Sequence, residues 1–394
     1  MNPASLGVAP PLNPLLTAVR DYPFVKLEAQ ARALVPPGVT RINFSIGDPR
    51  ERTPEFIRDA VREGLPEVSS YPTVPGLPEL RRAYAGWARR RFGVTLDPET
   101  HVLPANGTKE AVFLMPFAVL GPGAPRDVVV IPTPAYPVYE PSVRLAGGEP
   151  YLTPLESRTG WRFDPARVPD AVWAKTAMLW LNTPHNPTGS VLDRAALDRI
   201  AALARRHGFW VIADEAYVDV WFDHAPPSLL QSGLEHVGVL HTLSKRSAMT
   251  GYRSGFIAGD PRLIEALRRL RPNVGVATPE FVQRGAIAAW NDDAHAEAQR
   301  RIYAEKRALL LATFARRGWR IEGSEATFYL WTAAPGGDDV AFVERLMKLG
   351  IVALPGSYMG EAGRGFVRVA LVPTVEQCAE ACARIEAAGR ELDG

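Results

Sequence analysis

Short apolar runs alternate with longer amphipathic segments through the middle of the chain. Short apolar runs bounded by polar or turn residues are typical of buried strands, and apolar positions three and four residues apart are typical of helices. Alternation of the two indicates a mostly parallel sheet covered by helices, which is an α/β fold. The pattern predicts strands at 127–131, 177–181, 209–213, 238–240 and 255–258, and helices at 138–146, 193–207 and 261–270.

The segments on either side of this alternation carry a different pattern. After about residue 279 a long helical segment, 280–317, precedes short strands and two more helices. We therefore expect a large domain over 46–280, a smaller α+β domain over 281–394, and an N-terminal segment over 1–45 that packs with the smaller domain. The other predicted elements are helices at 24–34, 54–64, 78–91, 110–120, 338–348 and 374–391, and strands at 41–47, 319–321, 327–331 and 365–370.

Composition excludes several classes of protein. The 394 residues are 46% hydrophobic and 22% charged with a net charge of +2, and the basic residues form no long runs, so we expect no nucleic-acid partner. Pairs such as Arg81-Arg82 and Arg268-Arg269 are interpreted as solvated helix faces. No apolar stretch approaches the ~18 residues of a membrane span, so no membrane association is expected.

Cysteines and histidines do not indicate a disulfide framework or a metal site. The two cysteines, Cys378 and Cys382, lie one helical turn apart, and the seven histidines are scattered, so we expect no metal. Residues 1–20 are expected to be irregular and lack the basic and apolar regions of a signal peptide. A cytoplasmic, reducing location is therefore expected. The chain also lacks a phosphate-binding P-loop and a Rossmann glycine motif.

Polar residues follow three of the predicted strands directly. Asn182, Asp214 and Thr242 come at the carboxyl ends of strands, which is where ligands bind in open α/β sheets. Shortly after Thr242, Lys245 lies among small hydroxyl residues, and Arg253 follows eight positions later. A lysine beside hydroxyls and an arginine suits an aldehyde that carries a phosphate. A solvated basic loop is the alternative from these residues alone.

Three short motifs occur in a fixed order along the chain. They are Asn186-Pro-Thr-Gly189, Asp214-Glu-Ala-Tyr217, and Ser244-Lys245 followed by Arg253. In this combination the chain resembles class I/II aminotransferases of fold type I, which depend on pyridoxal 5′-phosphate (PLP). The resemblance extends from about Phe24 to the C-terminal helix. It implies a large domain with a mostly parallel central sheet between helices, and a smaller α+β domain.

The resemblance assigns cofactor roles to particular residues. Lys245 would bind the PLP aldehyde covalently and move protons, and Asp214 would hold the ring nitrogen protonated. Tyr217 and Asn186 would bond the phenolic oxygen, and Tyr136 would stack on the ring. Helix capping by Asp214, turn formation by Asn186 and a structural role for Tyr136 are the alternatives. The implied phosphate contacts are Arg253, Thr242, Ser244 and the backbone N–H groups of Gly107, Thr108 and Lys109.

Other residues would contact the substrate or a second subunit. Arg368, flanked by apolar residues, matches the arginine that binds the substrate α-carboxylate, and its burial would require an anionic partner. Gly47 matches a backbone position lining the substrate site, where Tyr136 and Asn186 would also contribute. Tyr71 matches a tyrosine that reaches the partner's cofactor phosphate, which implies a homodimer.

Two segments carry a finer resemblance. Residues 243–260 and 328–331 are similar to succinyldiaminopimelate aminotransferases of lysine biosynthesis. This implies that an amino group moves between N-succinyl-LL-2,6-diaminopimelate and 2-oxoglutarate. The alternatives are an aminotransferase for aspartate, alanine or N-acetyl-diaminopimelate, a PLP-dependent carbon–sulfur lyase, and a non-catalytic PLP-binding regulator.

Overall fold

The structure is a computed structural model that describes residues 12–17, 19 and 22–392. The expectations about residues 1–20 therefore fall largely outside the described residues. Within the described part of the chain, no helix is both long enough and apolar enough to cross a membrane.

A seven-stranded sheet forms the centre of the molecule. Five neighbouring strands run parallel, and Gly255–Gly259 is antiparallel to the strands on both of its sides. The sheet is thus mostly parallel, as the sequence pattern predicts. Its strands, in spatial order, are Val102–Ala105, Gly255–Gly259, Val237–Thr242, Trp210–Asp214, Thr176–Asn182, Val128–Thr133 and Glu149–Pro154.

The inner strands are apolar along their length because helices cover both faces of the sheet. Val237–Thr242 and Gly255–Gly259 are buried at every position, whereas the edge strand Glu149–Pro154 is largely accessible and contains two prolines. That edge strand was not predicted, because its sequence has neither an apolar run nor an alternation. The helices around the sheet are Glu55–Glu63, Pro78–Phe92, Thr108–Val119, Tyr139–Leu145, Arg194–His207, Pro261–Val274 and Glu280–Asn291.

A smaller antiparallel sheet lies beyond these helices. Its strands are Leu354–Pro355, Phe366–Ala370, Tyr329–Ala333 and Ile321–Glu322, and the helices beside it are Ala294–Arg316, Asp339–Lys348 and Val375–Ala387. The N-terminal helix Pro23–Leu34 contacts Asp339–Lys348, and Ile42–Asn43 pairs in parallel with Ile351–Val352. The division into domains, with the N-terminal segment assigned to the smaller one, stays a prediction.

Two predictions about helices are wrong. The predicted helix 280–317 is interrupted after Asn291, because Asp292 has an extended backbone, and a new helix begins at Ala294; the Asp292 side chain accepts a hydrogen bond from the His295 N–H at 2.8 Å. Arg81 does not lie on a solvated face: it is 5% exposed and donates to Glu99 at 2.6 Å. The predicted strand 41–47 is also shorter, spanning only Ile42–Asn43.

Candidate active site

A pocket of about 450 Å³ opens at the carboxyl ends of the parallel strands. The N-terminal helix and the smaller sheet close its other sides, so the pocket is built from segments far apart in the chain. Its polar lining comprises Tyr22, Gly47, Thr108, Lys109, Tyr136, Asn182, Asn186, Asp214, Tyr217, Thr242, Ser244, Lys245, Arg253, Tyr329, Tyr358 and Arg368.

Lys245 lies on the one-turn helix Leu243–Arg246 at the base of this pocket. Thr242 caps that helix, since its hydroxyl accepts from the Ser244 N–H at 3.1 Å. The Lys245 Nζ donates to the Gly47 carbonyl and lies 5.5 Å from the centre of the Phe328 ring. Burial lowers the pKa of Lys245 to about 8, outweighing the opposing effect of Asp48. Roughly a tenth of the amine is therefore uncharged and nucleophilic at pH 7, far more than for an exposed lysine.

Gly47 is required where it contacts Lys245. A Cβ at this position would lie 2.2 Å from the Tyr329 hydroxyl oxygen. Any larger residue would displace either Tyr329 or the Gly47 carbonyl that accepts from the lysine. The structure thus brings Gly47 to the pocket through its backbone, which is the role expected from the sequence.

Asp214 ends its strand as a buried carboxylate that lacks a cation. One oxygen accepts from the Tyr139 hydroxyl at 2.8 Å and the other from the Ala216 N–H at 3.2 Å. Burial raises the pKa of Asp214 to about 6, although the Tyr139 bond works to lower it. No lysine, arginine or histidine of the described residues forms an ion pair with it. A protonated ring nitrogen would supply the missing positive charge.

Arg368 is a buried guanidinium that lacks an anionic partner. It is 3% exposed, donates through Nη1 to the Asn186 side-chain oxygen at 2.9 Å and through Nη2 to the Ser45 carbonyl. Its Nε is buried without an acceptor, and no carboxylate of the described chain pairs with it. A buried charge without a counter-ion is costly. A bound carboxylate is the partner that would complete this site.

A cradle for an anion lies at the start of helix Thr108–Val119. Gly107 has a φ of +76°, and a Cβ there would lie 2.4 Å from Nη2 of Arg253. Arg253 is held by bonds to the Thr250 carbonyl at 2.7 Å and the Asn106 carbonyl at 3.1 Å. Thr108 and Lys109 at the start of the helix line the same pocket as Thr242, Ser244 and Arg253. This combination fits a phosphate group.

Several tyrosines complete the pocket. The Tyr217 and Tyr329 hydroxyls hydrogen-bond each other at 2.8 Å, and burial raises the pKa of both. Tyr136 packs edge-on to Tyr139 with ring centres 5.8 Å apart. Asn186 is oriented by Asn182, whose side-chain oxygen accepts from the Asn186 N–H at 2.7 Å.

The structure brings together nearly all residues that the sequence singled out. Gly107 lies beside the lining, next to Arg253, and Tyr71 lies outside it with 99% of its surface exposed. The sequence analysis missed Tyr22, Tyr139 and Tyr329 as site residues. Their partners are distant in the chain, and no spacing pattern indicates such contacts.

The residues present fit PLP. Lys245 offers an amine whose pKa is lowered, Asp214 a buried carboxylate for the ring nitrogen, and the Gly107–Arg253 cradle a site for the phosphate. The pocket therefore offers a separate group for each reactive or charged part of the cofactor, and Arg368 is not needed for any of them.

Comparisons with known proteins agree with this geometry. The family model described as aminotransferase class I and II matches residues 39–385. The 4-dedimethylamino-4-oxo-anhydrotetracycline transaminase OxyQ of Streptomyces rimosus is 42% identical, covering 87% of this chain and 92% of its own. The LL-diaminopimelate aminotransferase of Desulforudis audaxviator is 37% identical, covering 92% and 94%. A solved structure of a probable N-succinyldiaminopimelate aminotransferase from Thermus thermophilus superposes with a TM-score of 0.86 at 32% identity, covering 93% and 100%.

Proposed function

Because the chain belongs to the class I and II aminotransferase family and is a PLP-dependent aminotransferase, we propose that the pocket around Lys245 is its active site. The substrates are an amino acid that donates the amino group and a 2-oxo acid that accepts it. The observation that carries the proposal is Arg368, a buried guanidinium whose missing partner is a carboxylate.

Each polar group of the pocket has a separate task in this proposal. When bound, PLP supplies an electron sink for the bond broken at the substrate Cα. Lys245 would hold the cofactor covalently and, once released, move the proton at the substrate Cα. Asp214 would keep the proton on the ring nitrogen, Tyr217 and Asn186 would bond the phenolic oxygen, and Tyr136 would hold the ring. Arg368 would orient the α-carboxylate with its two-pronged hydrogen bonds.

For the donor we favour N-succinyl-LL-2,6-diaminopimelate, with 2-oxoglutarate as acceptor. The names of the Desulforudis and Thermus relatives support a diaminopimelate compound, as do segments 243–260 and 328–331. The charges of the pocket support an acidic side chain. Of the four cationic groups in the lining, Lys245, Arg253 and Arg368 already have roles, and Lys109 remains. Its Nζ lies 4.8 Å from the centre of the Tyr22 ring, where it could meet a distal carboxylate.

A screen of half-reactions tests this assignment. The holoenzyme is mixed with glutamate, LL-diaminopimelate or its N-succinyl derivative, and the cofactor absorbance is followed. We expect conversion to the pyridoxamine form with the succinyl compound and glutamate, and restoration by 2-oxoglutarate. Lys109→Met should slow the reaction of these acidic donors about tenfold and leave alanine unaffected, while Lys175→Met, at an exposed site, is the control. Ammonia release without an acceptor would instead indicate a lyase.

A second function, with a different amino acceptor, is supported by the 42% identity to OxyQ, which exceeds the 37% identity to the diaminopimelate enzyme. The name of that relative describes a tetracyclic oxo compound as its substrate. Rapid amination of such a ketone by the pyridoxamine form, with no reaction of either diaminopimelate, would favour this second function. The two outcomes are distinguished by the same absorbance measurement.

We also propose that the protein works as a homodimer. Tyr71 is 99% exposed in the single chain, and Leu65 and Val68 nearby are 59% and 76% exposed, which is typical of a surface that a partner covers. Sedimentation should give twice the mass of one chain. Tyr71→Ala should weaken PLP affinity if the ring reaches the partner's cofactor, and an unchanged affinity would rule that contact out.

A further inference from the structure

A second charged cleft lies next to the helix that carries Lys245. Its volume is about 210 Å³, and Arg246, which follows Lys245 directly, forms one of its walls. We call it the arginine cleft. Its charged lining consists of Arg90, Arg91, Asp219, Arg246, Asp293 and Arg300.

Both carboxylates of the arginine cleft are engaged in ion pairs with arginines. Asp219 accepts from Arg91 Nε at 3.0 Å and faces Arg246 Nε at 2.7 Å. Asp293 faces Arg90 Nε at 2.9 Å and Arg246 Nη2 at 3.2 Å. Three arginines are thus matched to two carboxylates, and positive charge remains in excess.

Arg300 is the guanidinium left over. It is half-buried, and within the described residues it has neither an ion pair nor a hydrogen bond. Its guanidinium carbon lies 4.5 Å from the centre of the Trp221 ring, which holds the side chain in place. Burial lowers the pKa of Arg300, and Arg91 and Arg246 lower it further against the opposing effects of Asp219 and Glu297. A fixed cation among other cations provides a binding site for an anion.

The neighbouring residue shows how an ordinary surface arginine differs. Arg301 is on the same helix, has 74% of its side chain exposed and pairs with Glu297 one turn away. A solvated helix face explains Arg301 fully. It does not explain Arg300, whose side chain faces a lined cavity.

The size and the donors of the arginine cleft indicate the kind of anion that it would take. Guanidinium groups bind carboxylate and phosphate oxygens through paired N–H donors. The volume suits a small oxyanion rather than a nucleotide or a peptide.

We propose that the arginine cleft is a second anion-binding site, which takes a small oxyanion with phosphate or carboxylate oxygens and is joined to the catalytic pocket through Leu243–Arg246. The site does not depend on which amino donor the enzyme uses.

Calorimetry on the holoenzyme tests the proposal. The probes are inorganic phosphate and tricarballylate, a tricarboxylate without an amino or oxo group, at constant ionic strength set with chloride. Bound PLP fills the Gly107–Arg253 cradle, so phosphate has no site there. We expect one saturable phosphate site per subunit. Tricarballylate should bind at this site and, because it is a carboxylate, also at Arg368, so its binding to the arginine cleft is the part that a change at Arg300 removes.

Variants of two adjacent arginines locate the binding. Arg300→Gln should weaken binding about tenfold or more, since a charged hydrogen bond is lost, while Arg300→Lys should weaken it less. Arg301→Gln should bind as the wild type does. Absence of saturable binding to both probes, or equal binding by Arg300→Gln, would overturn the proposal. An unchanged circular dichroism spectrum of Arg300→Lys would show that this variant is folded. Any loss of binding by Arg300→Lys would then come from the changed side chain and not from unfolding.

Discussion

The one-turn helix Leu243–Arg246 separates two regions that handle charge differently. On one side Lys245 faces the catalytic pocket, where Asp214 and Arg368 are buried and have no partner of opposite charge among the described residues. On the other side Arg246 faces the arginine cleft, where it pairs with both Asp219 and Asp293. The two residues are neighbours in the chain, so local sequence alone does not decide which charges are paired.

The pKa values record this difference. Burial raises the pKa of Asp214 to about 6, because the bond from Tyr139 only partly compensates for lost solvation. Burial also acts to raise the pKa of Asp219, but Arg246 and Arg91 outweigh it and lower that pKa. The charge of Asp219 is therefore balanced by arginines within the fold. The carboxylate of Asp214 has no cationic partner among the described residues, and a cationic ligand would supply one. A buried charged group without a partner indicates a ligand-binding site, whereas a buried ion pair indicates a contact that stabilises the fold.

The largest effect should come from removing the amine on the catalytic side. Lys245→Ala should reduce turnover by about 10⁴-fold or more, because both covalent attachment and proton transfer are lost. Steady-state assays with glutamate and 2-oxoglutarate measure this, and circular dichroism checks the fold. Lys348→Ala, at an exposed helix position, is the control and should match the wild type. Turnover retained by Lys245→Ala would contradict the role of this residue.

The next largest effect should come from removing a paired carboxylate from the arginine cleft. Asp219→Asn should lower the free energy of unfolding by about 3 kcal/mol, because Arg246 and Arg91 would lose their shared carboxylate. Asp198→Asn is the control: its pair with Arg194 is exposed, so we expect a change of at most about 0.5 kcal/mol. Urea unfolding of the three proteins under the same conditions measures both. Equal free energies of unfolding for Asp219→Asn and Asp198→Asn would show that the ion pairs of the arginine cleft do not hold the fold, and would contradict the contrast drawn with the catalytic pocket.

Sequence reasoning located the catalytic side because its residues follow strand ends. Asn182, Asp214 and Thr242 stand at carboxyl ends of parallel strands, and a parallel sheet brings such positions together whatever the rest of the chain does. The order of short motifs then identified Lys245 and Arg253. Arg368 was recognised only through the resemblance to a family.

The arginine cleft could not be predicted in this way. Its arginines belong to three segments, and each one alone is compatible with a solvated helix face. Only the packing of helix Pro78–Phe92 against Glu280–Asn291 and the start of the next helix places them together. Likewise, the bond between Tyr217 and Tyr329 joins residues 112 positions apart, and strand direction at Gly255–Gly259 has no signature in the sequence.

A conservative change at Arg368 should have an intermediate effect. Arg368→Lys keeps a positive charge but loses the two-pronged geometry, so we expect KM for the amino donor to rise roughly 10- to 100-fold. The cofactor absorbance should stay unchanged, because Arg368 does not contact the cofactor in the proposed arrangement. Arg364→Lys is the control, since Arg364 is 64% exposed and pairs with Glu361. A fall in kcat with unchanged KM would argue against carboxylate binding.

The smallest effect concerns the dependence of cofactor attachment on pH. Burial lowers the pKa of Lys245 to about 8, so the uncharged fraction of its amine rises from roughly a tenth at pH 7 to about half at pH 8. The rate at which the cofactor-free enzyme binds PLP covalently should therefore increase about fivefold between pH 7 and pH 8 and level off above pH 9. Stopped-flow absorbance measures the rate, and Lys245→Ala gives the background. An exposed lysine with a pKa near 10.4 would instead gain about tenfold per pH unit through this whole range. That outcome would mean that the catalytic side does not desolvate its amine, and the contrast drawn between the two sides of Leu243–Arg246 would then rest on Asp214 and Arg368 alone.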